Sequence, residues 1–183
     1  MEKIYMITRY LTYPAVWVRK AVEFLLCAIM NIDPIETLEE ADYDEISGHT
    51  PHGEFLYPLK AAAFNILVFA VQVAGAVGFF GAGITALCVL DVSPVNPATL
   101  QFNPMFLLYI LFMYLGICFA SNLFPSAKSV ENFWGLCISE AGFISRIIFI
   151  IPAVIFRAGI FLENLGITVV LSVALPIILK VVF

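Results

Sequence analysis

Charge is what this chain has least of. Only 13% of its 183 residues are Asp, Glu, Lys or Arg, against roughly 25% in an ordinary soluble domain, and 62% are hydrophobic. The shortage is uneven. Ala61 to Leu90 and Met105 to Phe124 contain no charged residue, and a bilayer's hydrocarbon needs only about 20 apolar residues in helical form. A water-soluble fold is thereby excluded, because so much apolar surface would have no place to hide. Imidazole is also scarce: the two histidines, His49 and His52, leave few ways to build a metal site. The four cysteines (Cys27, Cys88, Cys118, Cys137) stand singly without a CxxC pair, so they read as small buried hydrophobes and form neither a zinc site nor a disulfide framework. No nucleotide-binding loop, serine-triad signature or HExxH occurs. No catalytic residue, metal, cofactor or nucleic-acid partner is expected.

What is present reads as an all-α, polytopic membrane helical bundle. It forms a single membrane domain over residues 1–183, with three to four spans and an N-terminal amphipathic or partly embedded helix. The start lacks a cleaved secretory pattern, since Arg9, Arg19 and Lys20 interrupt its apolar stretches, and Met1 is expected to stay. Residues 5–32 place Arg19, Lys20 and Glu23 on one helical face. That suits either an interfacial helix, which hydropathy alone favours, or one burying a polar stripe inside a bundle. Pro14 fits its first turn. The connector 33–54 carries Asp33, Glu36, Glu39, Glu40, Asp42, Asp44, Glu45 and Glu54 with no Lys or Arg. It belongs in water, with a short helix expected around Pro34 to Tyr43.

The first span carries a stripe of small residues, Ala70, Ala74, Gly78 and Ala82, and the second carries Gly116 and Ala120. Both suit close antiparallel packing where lipid supplies no hydrophobic drive. Asn65 and Gln72, seven apart on the first span, should point inward and find partners. Asp91 to Pro104 is a short polar crossing. In the C-terminal third, Leu165 to Phe183 is the expected full span, while Phe143 to Phe161 reads as a tilted span, a re-entrant piece or an interfacial helix. Basic residues cluster before the first span (Lys3, Arg9, Arg19, Lys20, Lys60) and after the second (Lys128, Arg146, Arg157). The positive-inside rule therefore puts the N-terminus and the loop after Phe124 in the cytoplasm, provided residues 11–30 do not cross.

One constellation carries a family likeness. Tyr13-Pro14-Ala15 is followed by Arg19-Lys20-Ala21-Val22-Glu23, then Cys27; Gly48 to His52 precedes the first span; the second span runs through Leu115-Gly116 to Phe124-Pro125-Ser126. In spacing and order this resembles the small site-2-protease-like intramembrane zinc metallopeptidases over about residues 8–131. There an aromatic-Pro-Gly turn precedes HExxH, a Gly-x-x-x-His stretch precedes the next span, and an aspartate follows Phe-Pro-Ser. The resemblance implies that Arg19 and Glu23 stand where the ligand histidines would be, Lys20 where the glutamate base would be, and Ser129 where the aspartate would be, with Glu131 two residues on.

Without imidazole, and with two cations at the ion's locus, a divalent metal would be repelled, so the hydrolytic mechanism does not carry over. Arg19 and Glu23, four apart, could instead pair inside the bundle. The function implied is that of a pseudoenzyme binding or scaffolding a membrane partner, either another membrane protein or a second copy of the chain, in the cell or cytoplasmic membrane. Two alternatives remain at this point. One is an active metal-dependent peptidase using His49, His52 and Glu54, with Glu54 or Glu131 as base. The other is a transporter or channel subunit lined by Asn65, Gln72, Ser121 and Asn122.

Overall fold

The computed structural model describes residues 2–32, 50, 52, 55–86, 92–95, 101–139 and 142–182. Among these lie seven helices: α1 (Glu2–Leu11), α2 (Tyr13–Ile29), α3 (Pro58–Ile84), α4 (Pro104–Ser121), α5 (Ala127–Ser139), α6 (Phe143–Asn164) and α7 (Ile167–Val182). The described residues contain no strand beyond an isolated bridge between Val95 and Phe102. Proline opens three of the helices, at or next to their first positions in α2, α3 and α4, where a missing N–H costs nothing. Asn103 caps α4 by accepting from the Met105 N–H.

Among the described residues, three helices are long and apolar enough to cross a membrane: α3, α4 and the Arg146–Asn164 part of α6. The chain is a membrane protein. The C-terminal readings divide: α6, with 22 residues, has the length to cross, as in the tilted-span reading of Phe143 to Phe161, whereas α7, within the expected terminal span, is a shorter helix of 16 residues and measures about 24 Å at 1.5 Å per residue. Pro152 lies within α6 without ending it. The break comes at Gly166, whose φ of 73° is the left-handed conformation that glycine adopts without penalty.

Helix α3 packs against α2, α4, α5 and α6, and it meets different partners along its length. Its C-terminal half lies against α4. A Cβ built on Gly75 would come within 2.4 Å of the Phe119 ring, one on Gly83 within 2.7 Å of the Met113 side chain, and one on Gly116 within 2.9 Å of the Phe80 backbone nitrogen. These pairings, 75 with 119, 80 with 116 and 83 with 113, make the two helices antiparallel. The N-terminal half of α3 contributes Ala61, Ala62, Phe64 and Val68 to the main apolar cluster, with Leu26 and Cys27 of α2, Val130, Phe133 and Cys137 of α5, and Ala153 and Phe156 of α6. Burial pushes the Cys27 thiol up to about 12, with the Glu23 charge adding to the rise, and burial also raises Cys137. Both behave as packing groups, and Cys27, Cys118 and Cys137 are free.

The N-terminal helices are built inside out. Tyr10, Leu11, Tyr13, Trp17, Leu25 and Ile29 are exposed, whereas Arg9, Arg19 and Glu23 are 5%, 1% and 0% exposed. Of the two readings for residues 5–32, the interfacial one favoured by hydropathy is overturned for Arg19 and Glu23. A mean over the window cannot register which face carries the charge. The polar stripe faces the protein because the interior offers hydrogen-bonding groups that an apolar exterior lacks.

Candidate functional site

Three chain breaks meet at one level of the bundle: the α1–α2 turn at Thr12, the α4–α5 connection at residues 122–126, and the α6–α7 turn at Leu165 and Gly166. The N–H groups of Thr12, Leu165 and Gly166 are taken up by the Thr8, Phe161 and Glu163 carbonyls, whereas at the α4–α5 break the backbone groups of Phe124 and Ser121 face the protein interior, where they cannot be left bare. Side chains supply the partners. Arg19 donates from Nη1 to the Phe124 carbonyl at 2.8 Å and from Nη2 to Asn122 Oδ1 at 3.1 Å. Glu163 accepts the Phe124 N–H at 2.8 Å through Oε1, and its Oε2 accepts from Arg9 Nη2 at 2.7 Å while standing 3.8 Å from Arg19 Nη2. Arg9 Nη1 also donates to Asn122 Oδ1, and Asn122 Nδ2 donates back to the Cys118 carbonyl at 2.8 Å. The Thr168 hydroxyl donates to the Ser121 carbonyl at 3.2 Å, and the Ser121 and Ser172 hydroxyls are bonded at 2.8 Å.

The centre holds two guanidinium groups around one carboxylate, all within protein. Arginine suits it because its planar fork can reach several carbonyl and carboxylate oxygens at once and stays charged in any environment. One helical turn beyond Arg19 on the same inward face, Glu23 accepts the Thr50 N–H through Oε2 at 2.9 Å. The Thr50 hydroxyl donates to the Lys20 carbonyl at 2.8 Å, so the chain at Thr50 is fastened to α2. His52 lies edge-on to Phe55 and Phe64, with centroids 4.8 and 5.1 Å away.

The degenerate-motif positions are brought to the interior. Arg19 and Glu23 are buried, Lys20 is half-buried, and Ser129 is 1% exposed. Cys27 and Val130, next along the chain from those positions, share one apolar cluster. Arg19 binds Phe124 and Asn122 and faces Glu163, and Glu23 binds Thr50. Glu131 is exposed. Of the alternative metal set, His49 and Glu54 lie outside the described residues, and no group of three His, Cys, Asp or Glu able to hold a metal occurs among the described ones.

The packing residues divide. Gly116 touches α3 at Phe80, and Ala120 is partly buried against the Ala15–Ala76–Cys118–Phe119 cluster. Ala70, Ala74, Gly78 and Ala82 instead lie on the exposed face of α3, and Gly78 has open space where a Cβ would stand. Gly75 and Gly83 make the close approach, a register one residue from the expected stripe. Asn65 and Gln72 do point inward, both 0% exposed. Their amide nitrogens donate to the Ala61 carbonyl at 2.8 Å and the Ala15 carbonyl at 3.3 Å. The two amide oxygens, and the Ser129 hydroxyl, have no hydrogen-bond partner among the described residues.

Sequence reasoning missed Arg9 and Glu163 as members of the centre. The available signal was an acid near the end of an apolar helix, since an ionisable residue in such a segment calls for a named partner. No family model, curated protein or solved structure matches this chain.

Proposed function

We propose that this is a multi-pass membrane protein that binds a membrane partner and does not cleave peptide bonds. The observation carrying this reading is the burial of Arg19, whose guanidinium is bonded to the Phe124 carbonyl and Asn122 and faces the Glu163 carboxylate. A zinc hydrolase needs a cation that polarises the substrate and lowers the pKa of bound water. Arginine provides the charge without an open coordination position and cannot make hydroxide. Under the site-2-protease likeness, the ion's locus would be filled by permanent side-chain cations that lock the helices together.

Binding would be lateral, within the bilayer. The outward stripe of Ala70, Ala74, Gly78 and Ala82 would let a partner's transmembrane helix, or a second copy of this chain, approach the α3 backbone closely. With Arg9 and Arg19 internal, Lys60 in the first turn of α3 and Lys128 in the first turn of α5 are the cations next to the ends of the α3–α4 pair. The antiparallel α3–α4 pair turns both toward the same side, and the positive-inside rule makes that side, with the N-terminus, cytoplasmic.

Two measurements test the reading. Metal analysis of the purified protein should find no stoichiometric zinc, and a photo-crosslinking residue at Ala74 should yield a protein adduct in membranes while one at Ile148 on α6 yields lipid alone. Stoichiometric zinc, or lipid-only adducts from both positions, would overturn it.

A further inference from the structure

A second arginine feature lies outside the buried centre, on the surface of the α5–α6 pair. Arg157 is exposed within the Arg146–Asn164 stretch that is apolar enough to cross a membrane. Its guanidinium carbon stands 5.1 Å above the Trp134 ring of α5. It forms no ion pair with a described carboxylate; Glu131, one turn before Trp134 and also exposed, does not reach it. Val154 and Phe161, three before and four after Arg157 on the same helical face, are exposed and apolar. A charge on such a surface is costly unless it reaches headgroup level or meets a counter-charge. Arg157 sits seven residues before the end of α6, about 10 Å at 1.5 Å per residue, within a range that a long side chain can shorten by extending along the helix.

Arg146 precedes it by eleven residues, about three turns, on the same face of α6, and donates from Nη2 to the Ile138 carbonyl in the last turn of α5 at 2.7 Å. The two arginines differ in what they do: Arg146 closes a helix end, while Arg157 is exposed with the Trp134 ring beneath its guanidinium. Tryptophan is the side chain most at home at the apolar–polar boundary, and stacking on it orients a guanidinium edge outward.

We propose that Arg157 and Trp134 form a binding site for the phosphodiester of an anionic phospholipid on the outer face of α5 and α6. The guanidinium fork suits phosphate oxygens, being able to donate two parallel bonds, while the exposed Val154 and Phe161 on the same helical face offer acyl chains an apolar wall. A zwitterionic lipid also presents phosphate, but its ammonium cancels the net charge that favours the site.

The test is native mass spectrometry of the full-length protein in detergent, titrated with phosphatidylglycerol or phosphatidylcholine. Phosphatidylglycerol should bind with a preference that falls about fivefold in Arg157→Gln, the equivalent of one surface arginine's attraction to an anionic lipid. Arg157→Lys should keep part of it. Trp134→Leu should weaken binding while leaving the charge in place, a readout that loss of a purely structural arginine would not move. Exposed Arg157 is a safe position to change, and an unaltered melting temperature of Arg157→Gln makes the comparison valid; if that variant unfolds, Trp134→Leu alone decides. Equal binding of the two lipids to the parent protein, no change in either variant, full displacement of lipid by inorganic phosphate, or loss of a co-purifying acidic protein in place of lipid would each overturn the proposal.

Discussion

Between Gly75 and Gly83, α3 meets α4 through glycines set against Phe119, Met113 and Phe80; at the level of Asn122 and Phe124, the bundle is joined by Arg9, Arg19, Glu163 and the backbone ends they satisfy. The first contact works by dispersion between continuous helices that need no outside partner for their backbones. The second exists because helices stop there. Where a chain breaks inside a low-dielectric environment, polar side chains must replace the missing helical bonds. Charged ones then require each other. A charge-poor chain has thus concentrated its buried charges at its breaks.

The sharpest way to break this comparison is at Glu163. Glu163→Ala removes a carboxylate that faces two buried guanidinium groups and accepts the Phe124 N–H. A loss of about 3–5 kcal/mol is expected, read as a collapse of the thermal transition in detergent. Partial recovery in Glu163→Ala with Arg9→Met would show that the unbalanced charge, and not lost packing, is responsible.

Glu23→Lys follows, since it would set a cation next to Lys20 and Arg19 and discard the acceptor for Thr50; stability in the same assay should fall by about 3 kcal/mol or more. On the dry side, Gly116→Ala forces a Cβ against the Phe80 backbone, which cannot rotate away as a ring can, so about 1–3 kcal/mol should be lost. Gly78→Ala, facing open space, should change stability by no more than about 0.5 kcal/mol. If these two glycines respond alike, the assignment of the α3–α4 register is wrong. The smallest effect belongs to the Ser121–Ser172 bond between α4 and α7. A double-mutant cycle with alanine should give a coupling of about 0.6 kcal/mol, typical of hydroxyl bonds between membrane helices.

Much of the fold was legible in the chain. The charge-free runs marked α3 and α4 because crossing hydrocarbon is a one-dimensional requirement, satisfied by length and composition. Asn65 and Gln72 were placed inward for the same reason. The α3–α4 register was not legible, as Gly75 and Gly78 are both glycines in a glycine-rich helix, and only the facing side chains distinguish them. Nor was the role of α6: Arg146 and Arg157 made it look compromised, yet one caps α5 and the other stacks on Trp134, so neither prevents a long apolar helix.

At the candidate site, the charges of α2 are legible as a group, whereas their meeting with Asn122 and Glu163 is not, because those two lie more than 100 residues along the chain from Arg19 and share no local pattern with it. Sequence by itself determined the solvent: too few charges and too much apolar surface for water, and uninterrupted charge-free runs of 20 residues and more, the length of a membrane helix and twice that of a barrel strand. Tertiary structure decided which charges are interior and whom they meet. Pairing between Arg9 and Glu163 depends on where three breaks fall in space, and a break's position relative to another helix is a property of packing that no single segment encodes.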